Sequence, residues 1–472
     1  MEANESTYIL EASASSQAFT ISKPYQDPKD SDDEELQPRT QGDYCKSNMK
    51  QTAFNYVNSI IGSGVIGIPY AIHKAGFFMG IFLLIFIAAI TDFSLCTLIR
   101  AGNLAGVSTY QDVMDRAFGK PGFYILTILQ FIYPFIAMIS YNVIIGDTMT
   151  KVFRRIFDLT SNNPFGNRNT VVFMCTVMIM LPISLYRNVS KLNKISLTSI
   201  AFVSFIMSFI AYRLVTLGPD IPHEENAFTL VNSGITNAIG IIAFAYMCHH
   251  NSFLLYDSMA NSSQEKWNRV THLSLAVSCF IVMVVGICGY LTFGSYSQGD
   301  LFENYCLSDD FAQAARLAFT VTIMLTYPFE CFVVREVLEN AFWGGKPPST
   351  NSHHTLLTIA IAASAFILST LTDCLGIVLE LNGIIAAVPL AFIFPALTFI
   401  KLDPEPLMSR QKFPHLALVI FGVAVACVGS FLAVQSVLDG ISCSHGHELF
   451  YCNQTNSTKS ATINFNHSSE TQ

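Results

Sequence analysis

Two short stretches of this chain place polar groups where apolar sequence should be most regular. The first lies in the apolar run 54–76, which reads FNYVNSIIGSGVIGIPYAIHKAG and carries Gly62, Ser63, Gly64, Gly67 and Pro69 near its middle. Glycine weakens a helix interior by roughly 1 kcal/mol, and proline removes a backbone donor and clashes with the preceding turn. This spacing predicts a broken helix. In hydrocarbon an unpaired backbone N–H or C=O is costly, so a break persists only inside protein or beside a polar cavity. The freed N–H groups at the start of the outer half would face an anionic group; the freed carbonyls of the inner half would face a cation. A close-packed helix of the small-xxx-small kind is the alternative. The second stretch, IIAFAYMCHHNSFLLY, stays apolar until Cys248, His249, His250 and Asn251. It predicts a second unwound segment facing the first, with a pair of packed histidines as the plainer reading.

Other candidates are fewer. The run RLAFTVTIMLTYPFE places Thr320, Thr322 and Thr326 just before Pro328. Hydroxyl and carbonyl oxygens suit hard cations, although a threonine more often bonds the preceding turn. Glu380, in LGIVLELNGIIAAVP, is an acid inside an apolar run and so a candidate proton or cation carrier, or a carboxyl reaching the outer interface. Asp92, Asp147 and Asp373 fall nearer the ends of such runs. The twelve cysteines show no CxxC spacing, so no zinc or redox motif and no cofactor is expected. With no HExxH, spaced acid pair or nucleophile motif, an enzyme is not expected either.

The elements that must hold these groups are membrane helices. Of 472 residues, 51% are hydrophobic and 13% charged, which excludes a soluble protein; no nucleic-acid partner is expected. Apolar runs of bilayer length fall near 53–73, 77–99, 123–146, 170–186, 195–217, 235–255, 272–293, 311–332, 354–372, 375–399 and 414–437, eleven in all. Residues 1–50 are polar and acidic and read as a disordered cytosolic tail without a cleavable signal, so the first span does the targeting. With that tail inside, the inner loops carry 15 Lys and Arg and the outer side carries 7, namely Lys74, Lys151, Arg154, Arg155, Arg168, Arg213 and Lys459. The positive-inside rule supports N-in and C-out. Four of the seven crowd into 147–169, where an amphipathic extension of the third span is the one account available. Sequons at Asn453, Asn456 and Asn466 point the tail 438–472 to the exterior or a lumen. There Cys443 and Cys452 could pair locally, with Cys306 and Cys374 on the same side.

The chain also repeats its plan. The second irregular helix comes five spans after the first, as in inverted-repeat transporters. Tyr133-Pro134-Phe135 in the third span is echoed by Tyr327-Pro328-Phe329 in the eighth.

NSIIGSGVIGIPYA at 58–71, FAYMCHH at 244–250 and RLAFTVTIMLTYP at 316–328 resemble the amino acid/auxin permease superfamily, in its sodium-coupled neutral amino acid transporter branch. The resemblance covers about 50–437. It implies an all-α polytopic LeuT-type fold: a ten-helix core at 51–400 formed by inverted repeats of about 51–217 and 233–400, and an eleventh helix at 413–437. It implies substrate between the first and sixth helices, on Gly62, Ser63, Gly64, Ala245, Tyr246, Cys248 and His249. Sodium would be held by Asn58, carbonyls around Ile61 and Thr326, since Arg316, Thr326 and Pro328 keep the family spacing. The expected activity is sodium-coupled uptake of a neutral amino acid at the plasma membrane. Proton antiport is an option, with Glu380, His249 and His250 as titrating groups. The alternatives are a proton-coupled lysosomal or vesicular exporter and an amino-acid sensor of the same fold. Two departures stand out: His250, Asn251, Ser252 and Phe253 replace a proline-containing stretch, and the loop Ser295–Asp310 is short and lacks sequons.

Overall fold

The structure, a computed structural model, describes residues 47–160, 163–186, 193–222, 227–343, 351–372, 374–438 and 450–452. Among them the chain is helical, with a lone β-bridge between Ser47 and Met259. In chain order the helices are α1 (Met49–Ile60), α2 (Ile68–Ala75), α3 (Phe77–Ala105), α4 (Tyr110–Phe157), α5 (Arg168–Cys175, continuing to Ser184), α6 (Asn193–Thr216) and α7 (Ile235–Ala245). Then come α8 (Ser252–Ser258), α9 (Gln264–Phe293), α10 (Asp310–Trp343), α11 (Asn351–Ser369), α12 (Leu375–Asn382), α13 (Phe394–Leu402) and α14 (Phe413–Leu438). Eight helical stretches among the described residues are long and apolar enough to cross a membrane, counting α7–α8 and α12–α13 as one each. Arg168–Ser184 and Ala201–Thr216 are apolar but shorter. Together with the broken α1–α2, they account for all eleven expected runs.

Local chemistry sets the boundaries. Asn48 caps α1 by accepting from the Gln51 N–H, Thr109 caps α4 and Ser263 caps α9. Gly106 ends α3 in the left-handed region, at φ 67°. A positive φ at Gly119 divides α4 into a short amphipathic start and the long apolar segment that follows.

Both irregular helices are broken where the residues predict. Between α1 and α2 the chain leaves the helix at Ile61 and Gly62 and runs through a 3₁₀ turn, Ser63–Gly67. Between α7 and α8 it leaves at Tyr246 and re-enters through a 3₁₀ turn at His249–Asn251. The four half-helices are tied pairwise. At one end, Ser47 N–H donates to the Ser258 carbonyl and Ala260 N–H donates to Ser47. At the other end, Asn232 N–H donates to the Ala75 carbonyl and its side chain to His73.

Helices α4 and α10 pack along each other behind the breaks, and α12 closes the other side against α7. There Gly383 and Gly240 touch backbone to backbone, leaving no room for a Cβ at either. The chain between α12 and α13 is wound as π-helix, a form that concentrates at functional sites.

The cations that counted against the expected orientation lie beside acids. Lys151 pairs with Glu303 at 2.8 Å, Arg155 with Asp310 at 2.7 Å and Arg168 with Asp147 at 2.8 Å. Arg213 pairs with Asp309, and Arg154 donates to the Gly166 carbonyl. Most of these charges are neutralised in place. Nearby, buried Arg316 donates to the carbonyls of Phe302 (2.8 Å) and Tyr305 (2.5 Å), folding the loop 294–309 over the outer half of the first break.

Cys306 and Cys452 form a disulfide, and Tyr451 donates to the Asn304 carbonyl in the same loop. The local Cys443–Cys452 pairing is thus corrected. Packing of Tyr451 against Phe293 brings Cys452 to the loop 294–309, and Cys443 lies outside the described residues, as do the sequons Asn453, Asn456 and Asn466. Cys374 is itself disulfide-bonded.

Candidate functional site

The two breaks meet. A Cβ added at Gly64 would stand 2.7 Å from Ala245 Cα and 3.0 Å from the Phe244 ring, so only glycine lets the 3₁₀ turn approach α7 this closely. At the same point the backbone is open for bonding. Among the described residues the N–H groups of Ser63 and Gly64 have no acceptor, and no backbone N–H reaches the Ile61 carbonyl. Donors and an acceptor left over at one break are what an anionic and a cationic ligand each need.

Side chains from α4 and α10 surround this point. Ser63 Oγ bonds Ser140 Oγ at 3.0 Å, and the Tyr141 hydroxyl lies over Gly62. Tyr133 Oη donates to the Phe244 carbonyl at 3.3 Å and to Met247 at 3.5 Å, serving carbonyls loosened by the second break. Asn382 of α12 donates to the Tyr133 carbonyl at 3.0 Å. Asn142 is fully buried beside Tyr327, and neither end of its amide finds a hydrogen bond of normal geometry.

The proposed substrate residues do not all share one surface. Gly62, Ser63, Gly64 and Ala245 form the contact itself. Tyr246 turns its hydroxyl toward Cys279 on α9, and Cys248 lies against Tyr56 of α1, whose hydroxyl also bonds Ser252 at 2.9 Å. The histidines diverge. His249 Nε2 bonds Ser94 Oγ on α3 at 3.2 Å, and that serine donates on to the Ala391 carbonyl. His250 points to α10, with its Nε2 3.7 Å from Glu330 Oε2 and its ring 5.1 Å from that of Tyr133.

For the cation set the structure is specific about each member. Asn58 is half-buried and makes no side-chain hydrogen bond among the described residues; Ile61 is buried with its carbonyl open. Thr326 donates its hydroxyl to the Thr322 carbonyl at 2.8 Å, so its oxygen lone pairs are what remain for an ion. Thr322 and Thr320 bond the preceding turn in the same way, and Thr320 also meets Thr148 at 2.6 Å. Glu380 is buried, hydrogen-bonded to Asn237 of α7 and within electrostatic reach of Lys74. It therefore links α12 to α7 and α2.

Sequence reasoning missed Glu330, Ser94, Asn142 and Asn382. Glu330 carried a signal, being an acid two positions after Pro328 in an apolar run. Asn382 sits two residues from Glu380. Ser94 and Asn142 had none, because isolated small polar residues are common in spanning helices.

A model of a family described as transmembrane amino acid transporter protein matches residues 45–437. The chain belongs to this family. Among its relatives are proteins provisionally named sodium-coupled neutral amino acid transporter 11, from Bos taurus (46% identical, 88% of each chain) and Homo sapiens (45%, 80% of this chain and 92% of the relative). Vacuolar amino acid transporter 2 of Saccharomyces cerevisiae is 30% identical over 85% of each chain. A solved structure of an Eremococcus coleocola manganese transporter variant superposes with a TM-score of 0.55, at 12% identity, covering 86% of this chain and 91% of that one. That likeness shows the fold. The protein is a multi-pass membrane member of an amino acid transporter family, a class that is not enzymatic.

Proposed function

We propose that the protein is a secondary transporter coupling inward sodium movement to uptake of a neutral amino acid, built as two inverted five-helix repeats plus an eleventh helix. The observation that carries the site is the contact between the breaks, Gly64 against Ala245. The open N–H groups of Ser63 and Gly64 would receive the substrate carboxylate, and the loop around Tyr246–His249 would meet its side chain. Asn58, the Ile61 carbonyl and Thr326 would bind sodium. The relatives named for sodium coupling support this assignment. The plasma membrane suits it, and the sequons of the C-terminal tail suit an exterior or luminal end.

The test is uptake of labelled neutral amino acids by cells expressing the protein, with sodium replaced by choline and surface expression verified. Asn58→Ala and Thr326→Ala should each weaken apparent sodium affinity at unchanged surface expression. Unaltered sodium dependence in both variants would remove the assigned cation site. A proton-coupled exporter of an intracellular compartment is the second reading, favoured by the relative named as vacuolar. Sodium-independent, pH-driven efflux would establish it. Saturable binding without transport would indicate a sensor.

A further inference from the structure

Between α10 and the two breaks lies a row of polar groups that neither substrate nor sodium uses. Glu330 is buried, and its Oε2 has no hydrogen bond among the described residues. It stands 3.7 Å from His250 Nε2. That nitrogen is 3.0 Å from Asn251 Nδ2, which also donates to Ser59 Oγ at 3.0 Å. Ser59 follows Asn58 and precedes the first break. The row thus runs from α10 through the second break to the inner half of the first helix.

The chemistry of His250 Nε2 makes the row a switch with two settings. An amide –NH₂ can only donate, so while Asn251 bonds Nε2 that nitrogen accepts, and the neutral ring carries its hydrogen on Nδ1. A proton added at Nε2 turns it into a donor. It can then no longer accept from Asn251, and the nearest oxygen to which it can turn is Glu330 Oε2, which can take the proton in turn and become a carboxylic acid. The pair has few competitors. From α4, Tyr133 and Tyr141 lie within electrostatic reach of the carboxylate, and the Tyr133 hydroxyl is engaged by the Phe244 and Met247 carbonyls. From the second break His249 and Cys248 lie nearby, His249 held by Ser94. On α10 itself, Arg335 donates away from the site to Ser184 and Thr358. A carboxylate buried at this depth without a fixed cation needs a proton on itself or on the imidazole.

We infer that Glu330 and His250 form the proton-binding site of the transport cycle, and that Asn251 and Ser59 carry its protonation state to the first break. This rests on the transporter reading and moves the proton from Glu380 to a different acid. No covalent chemistry is involved. One proton from water on one side binds the pair and leaves to water on the other.

The experiment uses the full chain, reconstituted in lipid vesicles containing a pH-sensitive dye and supplied with labelled alanine, glutamine and leucine. Infrared titration of the same preparation follows the carboxylic acid C=O band. The wild type should couple amino acid movement to a pH change. Glu330→Gln should keep amino acid movement but lose the pH change and one titrating C=O band. Glu380→Gln should keep both, and His250→Gln should shift the midpoint of the band without abolishing it. An unchanged pH signal in Glu330→Gln overturns the assignment. If the wild type moves none of the three amino acids, the transporter reading loses support, and the infrared data alone decide: a band lost in Glu330→Gln sustains the pair, and its persistence refutes it. Should Glu330→Gln fail to fold, Glu330→Asp must retain the proton signal with a shifted midpoint, and its loss there counts against the pair.

Discussion

The two breaks are made by opposite means. The first is a backbone device: glycines bring the chain against α7, and what it offers a ligand is N–H and C=O. The second is a side-chain device, where Cys248, His249, His250 and Asn251 reach three neighbouring helices: α1, α3, α10 and α1 again. The contrast suggests a division of labour. Groups common to every amino acid can be met by backbone, which cannot vary with sequence, while side chains tune selectivity and coupling.

That division can be attacked at its strongest point. Gly64→Val should abolish uptake and destabilise the fold, since overpacking costs about 1–3 kcal/mol and here the clash is with backbone. Uptake and the melting temperature of the purified protein would show it, and normal transport by the Gly64→Val variant would mean that the breaks do not need to touch. Next in size, Asn251→Ala should cut uptake severalfold and remove about 1 kcal/mol per lost hydrogen bond, read by transport and melting. If uptake is unaffected, the second break does not communicate with Ser59. Ser63→Ala removes only the bond to Ser140 and should cost about 1 kcal/mol or less, with substrate affinity nearly intact. A large loss of affinity there would give the first break a side-chain role and blur the contrast.

The smallest effect expected is outside the membrane. Burial and the neighbouring Glu303 carboxylate push Asp300 up to about 7, against weaker opposing effects of the Phe302 N–H, Lys151 and Arg316. The folded chain therefore keeps a proton that the unfolded chain releases near pH 4, about the ordinary value for aspartate. Its stabilising contribution is whole below that pH and declines until Asp300 ionises near 7. Melting temperature should fall between about pH 4 and 7, and less steeply in Asp300→Asn.

How much of this was legible follows from what kind of interaction each feature depends on. The first break was legible because Gly62, Gly64, Gly67 and Pro69 act locally on the backbone, and the second because His249–Asn251 interrupt an apolar run with polar side chains. The spans followed from length and hydropathy. Glu380 was visible as a charge in an apolar run, but its bond to Asn237 was not, because α7 and α12 are distant in sequence. Pairings between remote segments stayed hidden for the same reason. The acids beside the cations at 151–168 stayed hidden in part, since Glu303 and Asp310 lie far along the chain from Lys151 and Arg155. Cys452 looked like the partner of the nearest cysteine, whereas Tyr451 packs on Phe293 and carries it to Cys306.

That last bridge has a consequence for how the protein is made. Cys306 precedes α10 and its partner Cys452 follows α14, so the bridge must wait until the chain through α14 has been made. The cap over the first break therefore cannot be sealed covalently until the last helix has crossed in the right direction. A chain whose final helix is left on the wrong side would keep Cys306 as a thiol, so mass-shift labelling of that thiol during synthesis would report topological errors directly.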